Sequence, residues 1–259
     1  MTPTEPTIRP GRAAAPRPLL LAPLGIERRA LLRGGAPDVA RSGMGEAKSR
    51  AFAAALTGGP AAEPIGAVVV AGMGAGMLGL LPGDVVVASE VRDPDGAVFA
   101  CPWADTLAAS LTEALRGAPP RVHTGPVATV RKLVRTAERG ALARTGVVAA
   151  DMESAFLLAG LGMRGGERPD LPWAVVRVVS DAPGHELMRP GIVRNGLRAY
   201  RSLKASAPAL SGWLGGVSSG RRADSVPLPP GGGAGEADLG PTGGPAGGAA
   251  KEEQDGGAR

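Results

Sequence analysis

Asp151-Met152-Glu153-Ser154 follows directly on the apolar run Gly146-Val147-Val148-Ala149-Ala150, and a second run, Trp173 to Val179, ends in Ser180-Asp181. Short Val-rich runs of this kind read as buried strands. Open α/β sheets build their ligand sites where such strands end. A carboxylate placed there is costly to bury unless something pairs with it or uses it. Two of them on neighbouring strands predict a site.

Outward from these two runs, further strands are expected at Pro18–Ala22, Ile65–Ala71, Asp84–Ser89 and Arg121–Ala128. Helical patterns cover Glu27–Arg33, Gly45–Leu56, Trp103–Arg116, Met152–Leu161 and Ile192–Trp213. Alternation of this kind argues for an α/β fold with a largely parallel or mixed sheet. The uncharged stretch from Ile65 to Gly83 imitates a membrane span in length only. Glycines at 66, 72, 74, 76 and 79 break it, and Asp84 restarts a second Val run, so strand, glycine loop and strand is the expected reading.

Four segments, in order, resemble the nucleoside phosphorylase and nucleosidase superfamily, above all its hydrolytic branch, the methylthioadenosine/S-adenosylhomocysteine nucleosidases. They are Arg41-Ser42-Gly43-Met44-Gly45; Gly72-Met73-Gly74-Ala75-Gly76 with Pro82-Gly83-Asp84-Val85-Val86-Val87; Asp151-Met152-Glu153; and Val176-Arg177-Val178-Val179-Ser180-Asp181. The resemblance runs over roughly residues 18 to 205 and implies a central mixed β-sheet flanked by helices in three layers.

Release of a purine from ribose needs an acid at the base, because the purine leaves poorly as an anion. It also needs a carboxylate at the sugar, which becomes cationic. In the resembling family the Asp of the Ser-Asp pair donates to N7 of adenine, a role that falls on Asp181, with Ser180 beside it. A carboxyl ending a Val-Val strand is suited to it, since burial disfavours the charged form; the plainer reading is a helix N-cap. The resemblance puts Glu153 on the ribose hydroxyls and Met152 against the sugar, the rival being a helix start with Asp151 as cap. It makes Glu27 the holder of the attacking water and Arg177 the group that orients Glu27 or the water. A surface ion pair of Glu27 with Arg28 or Arg29 competes with that reading. Gly72, Met73 and Gly74 are expected to bring backbone close to the ligand, with Met73 standing where the family carries a hydroxyl. Leu133 and Val134 align with the residues whose backbone holds adenine, although Arg131 replaces an acidic residue nearby.

Composition narrows the rest. The chain has 259 residues, 44% of them hydrophobic, enough for one domain with a sizeable core. Residues 1–17 are rich in Pro, Thr and Arg and residues 215–259 in Gly, Pro, Ser and Ala, and both are expected to be disordered tails around a folded domain at 18–214. The net charge of +5 comes mostly from Arg in a chain also rich in Ala, Gly and Pro, as GC-rich coding gives. Aromatics are only 3%, so no nucleic-acid partner is expected. Cys101 is the single cysteine and His123 and His185 show no ligand spacing, so no metal or other cofactor is expected. Leu19-Leu20-Leu21 is too short for a secretion signal, which makes the cytoplasm the expected location.

The expected reaction is therefore hydrolysis of the N-glycosidic bond of a 5′-substituted adenosine. A phosphate-dependent phosphorylase and a non-catalytic nucleoside-binding protein stand as alternatives. Against the family, the stretches Arg33–Arg41 and Arg92–Pro102 are short, which opens the 5′ side of the pocket. That suits the sub-branch associated with hopanoid lipid synthesis, whose substrate would be an adenosylated hopane. The family commonly forms homodimers.

Overall fold

A computed structural model describes residues 16–58, 63–77, 79–117, 119–163, 170–183 and 192–219. The apolar runs become strands: β1 (Arg17–Ala22), β3 (Ile65–Gly76), β4 (Val85–Arg92), β6 (Val122–Thr129), β7 (Ala149–Asp151) and β8 (Trp173–Asp181). Two short strands carry no local signal, β2 (Ala40–Arg41) and β5 (Val98–Ala100). The helices are α1 (Gly25–Arg33), α2 (Glu46–Thr57), α3 (Ala104–Ala114), α4 (Thr136–Arg144), α5 (Ser154–Gly160) and α6 (Ile192–Ser218). Among these α4 was not foreseen: its sequence, Thr-Ala-Glu-Arg-Gly-Ala-Leu-Ala-Arg, has almost no apolar stripe.

All eight strands belong to one mixed sheet. Its middle is β3, which pairs in parallel with β1 on one side and with β8 on the other. Strand β8 also pairs antiparallel with β4, β4 pairs in parallel with β6, and β6 with β7. Since β7 returns to the last residues of β3, through Ala75 opposite Ala150 and Gly76 opposite Ala149, the strands β3-β8-β4-β6-β7 close on themselves. Closing a sheet requires local bends, and register shifts at Gly74/Ala75 and at Ala88/Val91 provide them. Strand β8 is a member of this ring with neighbours on both sides, and Trp173 through Val179 are all buried. Hence it reads as an unbroken apolar run; each buried Val contributes about 1.5–3 kcal/mol relative to exposure.

Helices α1 and α3 each pack against α6, and α2 packs against α5. One face of α6 carries Ala199, Leu203, Ala207, Leu210 and Leu214 into the core, a spacing of three and four residues. The helix continues to Ser218, past the domain boundary expected at Leu214. The remaining tail residues, 1–15 and 220–259, lie outside the described residues, as does His185. Among the described residues no helix is long and apolar enough to cross a membrane.

One expectation is corrected here. Gly72 to Gly76 is not a loop but the second half of β3. The glycines serve the packing around the strand. A Cβ on Gly72 would stand 2.9 Å from Glu27 Oε1 and 3.0 Å from Arg177 Nη1, and one on Gly74 would stand 2.9 Å from the Ala150 carbonyl. Both are closer than a real Cβ tolerates, so the strand can pass between these groups only without side chains.

Candidate active site

Strands β1, β3 and β8 run in parallel, so their C-terminal ends share one edge of the sheet. Strand β7 runs antiparallel to β3 and meets it at its last residues alone, which keeps Asp151 beside the same edge. A cavity of about 310 Å³ opens there, a size at the lower end for small-molecule sites. Glu27, Asp151, Glu153 and Asp181 all line it, and Lys132 is the one cationic residue of its lining among the described residues.

Glu27 comes from the first turn of α1 and is 2% exposed. Its Oε2 accepts the Leu24 N–H at 2.6 Å, which ties off the start of the helix, and its Oε1 accepts the Met73 N–H at 2.7 Å. The carboxylate thus bridges α1 to the glycine-rich half of β3, and the alternative of a surface pair with Arg28 or Arg29 is not what forms. Burial pushes its pKa up, against the Met73 hydrogen bond and the charge of Arg177.

Asp151 and Arg177 make a fully buried pair beneath the cavity. Arg177 Nε donates to Asp151 Oδ2 at 2.7 Å and Nη2 donates to Ser154 Oγ at 2.7 Å. Asp151 Oδ1 accepts from Thr129 Oγ1 at 2.8 Å and from the backbone amides of Glu153 and Ser154 at 3.2 Å, so Asp151 caps the start of α5. The Ser154 hydroxyl also donates to Oδ2. Burial alone would raise the pKa of Asp151; Arg177 and the hydroxyl hydrogen bonds outweigh it and hold the group below its ordinary value. Arg177, expected at the ligand site to orient Glu27 or the water, reaches Glu27 through its charge but does not face the ligand itself. Its guanidinium is spent on Asp151 and Ser154 and does not line the cavity, and Gly72 likewise stands behind the lining formed by Met73 and Gly74.

Glu153 is 5% exposed, and its carboxylate accepts the Gly45 N–H at 3.1 Å and the Met152 N–H at 3.2 Å. Gly45 sits at φ +84°, a region glycine reaches without strain, and this turns the Arg41–Gly45 segment toward the site. Burial, and then the charge of Asp151, push the Glu153 pKa up to about 7. A carboxyl raised in this way stabilises the folded state fully below its ordinary value of 4.5, and that contribution is lost as pH rises through about 7. Glu153→Gln is accordingly expected to melt higher than the parent at about pH 8, by the order of 1–3 kcal/mol or several degrees, with the gap closing near pH 5. Melting temperatures across that range check it; a gap independent of pH would contradict it.

Asp181 ends β8 and is 6% exposed. Ser180 Oγ lies 3.0 Å from Asp181 Oδ1 and 3.3 Å from the Gly74 carbonyl. Its other oxygen has a partner that sequence reading missed. Arg139, on α4 and 4% exposed, donates from Nη2 to Asp181 Oδ2 at 2.5 Å and from Nη1 to the carbonyls of Gly76 at 2.5 Å and Asp181 at 3.2 Å. An arginine in a weakly patterned helix of an arginine-rich chain carries no local mark of such a role.

Met152, Leu133 and Val134 line the cavity, together with Met44. Arg131 instead pairs outside with Asp95 at 2.7 Å and Glu46 at 2.9 Å. The structure thus gathers Glu27, Met73, Gly74, Leu133, Val134, Met152, Glu153, Ser180 and Asp181 around one cavity.

Comparison with known proteins agrees with this architecture. A family profile described as the phosphorylase superfamily matches residues 29–203. A search of curated proteins finds no match. Among solved structures, the chain is similar to a 5′-methylthioadenosine/S-adenosylhomocysteine nucleosidase from S. pneumoniae, at 20% identity and TM-score 0.56 over 74% of this chain and 98% of that one. The corresponding enzyme of Neisseria meningitidis gives 20% and 0.59 over 75% and 98%. A futalosine hydrolase from Helicobacter pylori gives 14% and 0.58 over 75% and 96%.

Proposed function

The chain belongs to the phosphorylase superfamily, and on that premise we propose that it is a purine nucleosidase, cleaving the N-glycosidic bond of a 5′-substituted adenosine with water to release adenine. The observation that carries this reading is the convergence of Glu27, Glu153 and Asp181, from α1, the start of α5 and the end of β8, on one cavity. In this reaction Asp181 gives a proton to N7 as the C1′–N9 bond breaks and its electron pair passes to the purine. The ribose, now cationic at C1′, is held through its hydroxyls by Glu153. Water bound at Glu27 attacks C1′ and yields its proton to that carboxylate. Met152 packs on the sugar, and the backbone at Leu133 and Val134 faces the base.

Charge favours water over phosphate as the nucleophile. Asp151 and Asp181 are answered by Arg177 and Arg139, so among the described lining Glu27 and Glu153 remain without an arginine partner, facing Lys132; two such carboxyls disfavour an oxyanion there and can still polarise water. The three carboxylates also weigh against a binding protein without chemistry, which has no use for an acid at the base. At the mouth, Met44 is 51% and Leu133 65% exposed, apolar surface that suits a bulky apolar 5′ group of the adenosylhopane kind. The family likeness adds a cytoplasmic homodimer to the proposal.

The test is adenine release by purified protein from methylthioadenosine, S-adenosylhomocysteine and an adenosine bearing a large apolar 5′ group, with and without phosphate. Phosphate-independent release, fastest on the apolar substrate, is the expected result. Dependence on phosphate would make the protein a phosphorylase, and no release from any substrate would leave the binding-protein reading.

A further inference from the structure

Among the described residues two arginines are buried at the site, and they answer different carboxylates. Arg177 answers the charge of Asp151. Arg139 answers Asp181, the group on which the proposed chemistry turns. A buried arginine is a weak device for stability, since desolvation offsets much of its ion pairing. This one also leaves its Nε buried without a hydrogen-bond partner, a cost that a purely structural tie between β3 and β8 would avoid.

Building on the nucleosidase reading, we propose that Arg139 is a positioning residue for leaving-group protonation. Its Nη1 is anchored on the carbonyls of Gly76 and Asp181, at the ends of β3 and β8, so the guanidinium has one place to sit. From there Nη2 takes Asp181 Oδ2, which fixes the carboxyl rotamer and leaves Oδ1, beside Ser180 Oγ, as the oxygen that delivers the proton. The carboxyl first takes a proton from water at Oδ1; as that proton then passes to N7 of the purine, negative charge returns to the Asp181 carboxyl. A guanidinium 2.5 Å away interacts more strongly with the carboxylate than with the neutral acid. The interaction therefore strengthens along the reaction, which is the condition for lowering its barrier.

The role predicts dependence on the leaving group, which a scaffold residue would not show. Two substrates with the same 5′ group separate the cases: the adenosine, whose base must be protonated to leave, and the 4-nitrophenyl riboside, whose nitrophenolate departs as a stable anion. For Arg139→Met, kcat for adenine release is expected to fall about 10–100-fold, with KM and nitrophenolate release each within about threefold of the parent. Arg139→Lys keeps the charge and recovers part of the loss, and Arg139→Gln, which keeps a donor for the Gly76 carbonyl without the charge, behaves like Met. Should the Met variant fail to fold, the Lys and Gln variants carry the comparison. Equal losses on both substrates, or no loss of adenine release, would overturn the proposal. Parent protein that releases neither leaving group would overturn the nucleosidase reading, and this one with it.

Discussion

Asp181→Asn is expected to lower adenine release roughly 10²–10⁴-fold, the usual share of a positioned general acid. Asparagine has nearly the same shape, so it can still accept from Arg139 Nη2 and sit beside Ser180. It has no transferable proton of comparable acidity, so the adenine must leave without protonation from this side. The effect should fall on kcat with little change in KM, because the carboxyl acts as the bond breaks rather than in holding the ground state. The variant also loses the charge that faces Arg139, so some fall in melting temperature is expected, and kinetics are read below that temperature. A variant that keeps kcat within about threefold of the parent would remove Asp181 from the acid role.

The largest stability effect is expected at Arg177. Arg177→Met leaves Asp151 buried with its ordinary counter-charge gone, and breaking such a pair from one side costs about 3–5 kcal/mol. In a domain of this size that corresponds to a fall in melting temperature of roughly 10 °C or more. Adding Asp151→Asn to the same chain removes the stranded charge and is expected to return part of the loss, which separates the charge effect from lost packing. A second consequence concerns Glu153. Arg177 is the group that restrains the upward push on its carboxyl, so in Arg177→Met the pKa moves further up. A melting temperature within a degree or two of the parent would show that the pair is not what holds the ends of β7 and β8 together.

The two effects differ in how far they could be anticipated. Asp181 and Glu153 stand at the ends of Val-rich runs, and a carboxylate there announces itself because burying it without use is costly. Glu27 was accessible only through its place after the first strand, and its burial was not: in sequence it is one acid beside two arginines. The partner of Asp181 lies 42 residues away on a helix with almost no apolar stripe. Nothing local distinguishes Arg139 from the arginines around it.

What the sequence by itself determined is six of the eight strands, all but the short β2 and β5, and the residues at their ends. Backbone hydrogen bonding and the exclusion of water act on runs of four to nine residues, so Val-rich β4 and β8 are legible without their neighbours. Only the tertiary structure decided that the sheet closes through β7 onto β3, that the glycine-rich segment is strand rather than loop, and that Arg177 serves Asp151 while Arg139 serves Asp181. Each of these depends on groups distant in the chain meeting at one place. The glycines accept strand geometry because Glu27, Ala150 and Arg177 crowd both sides of it. The pairing of Asp151 and Asp181 with two buried arginines, and of Glu27 and Glu153 with backbone amides, follows from which groups the closed sheet brings within hydrogen-bond reach.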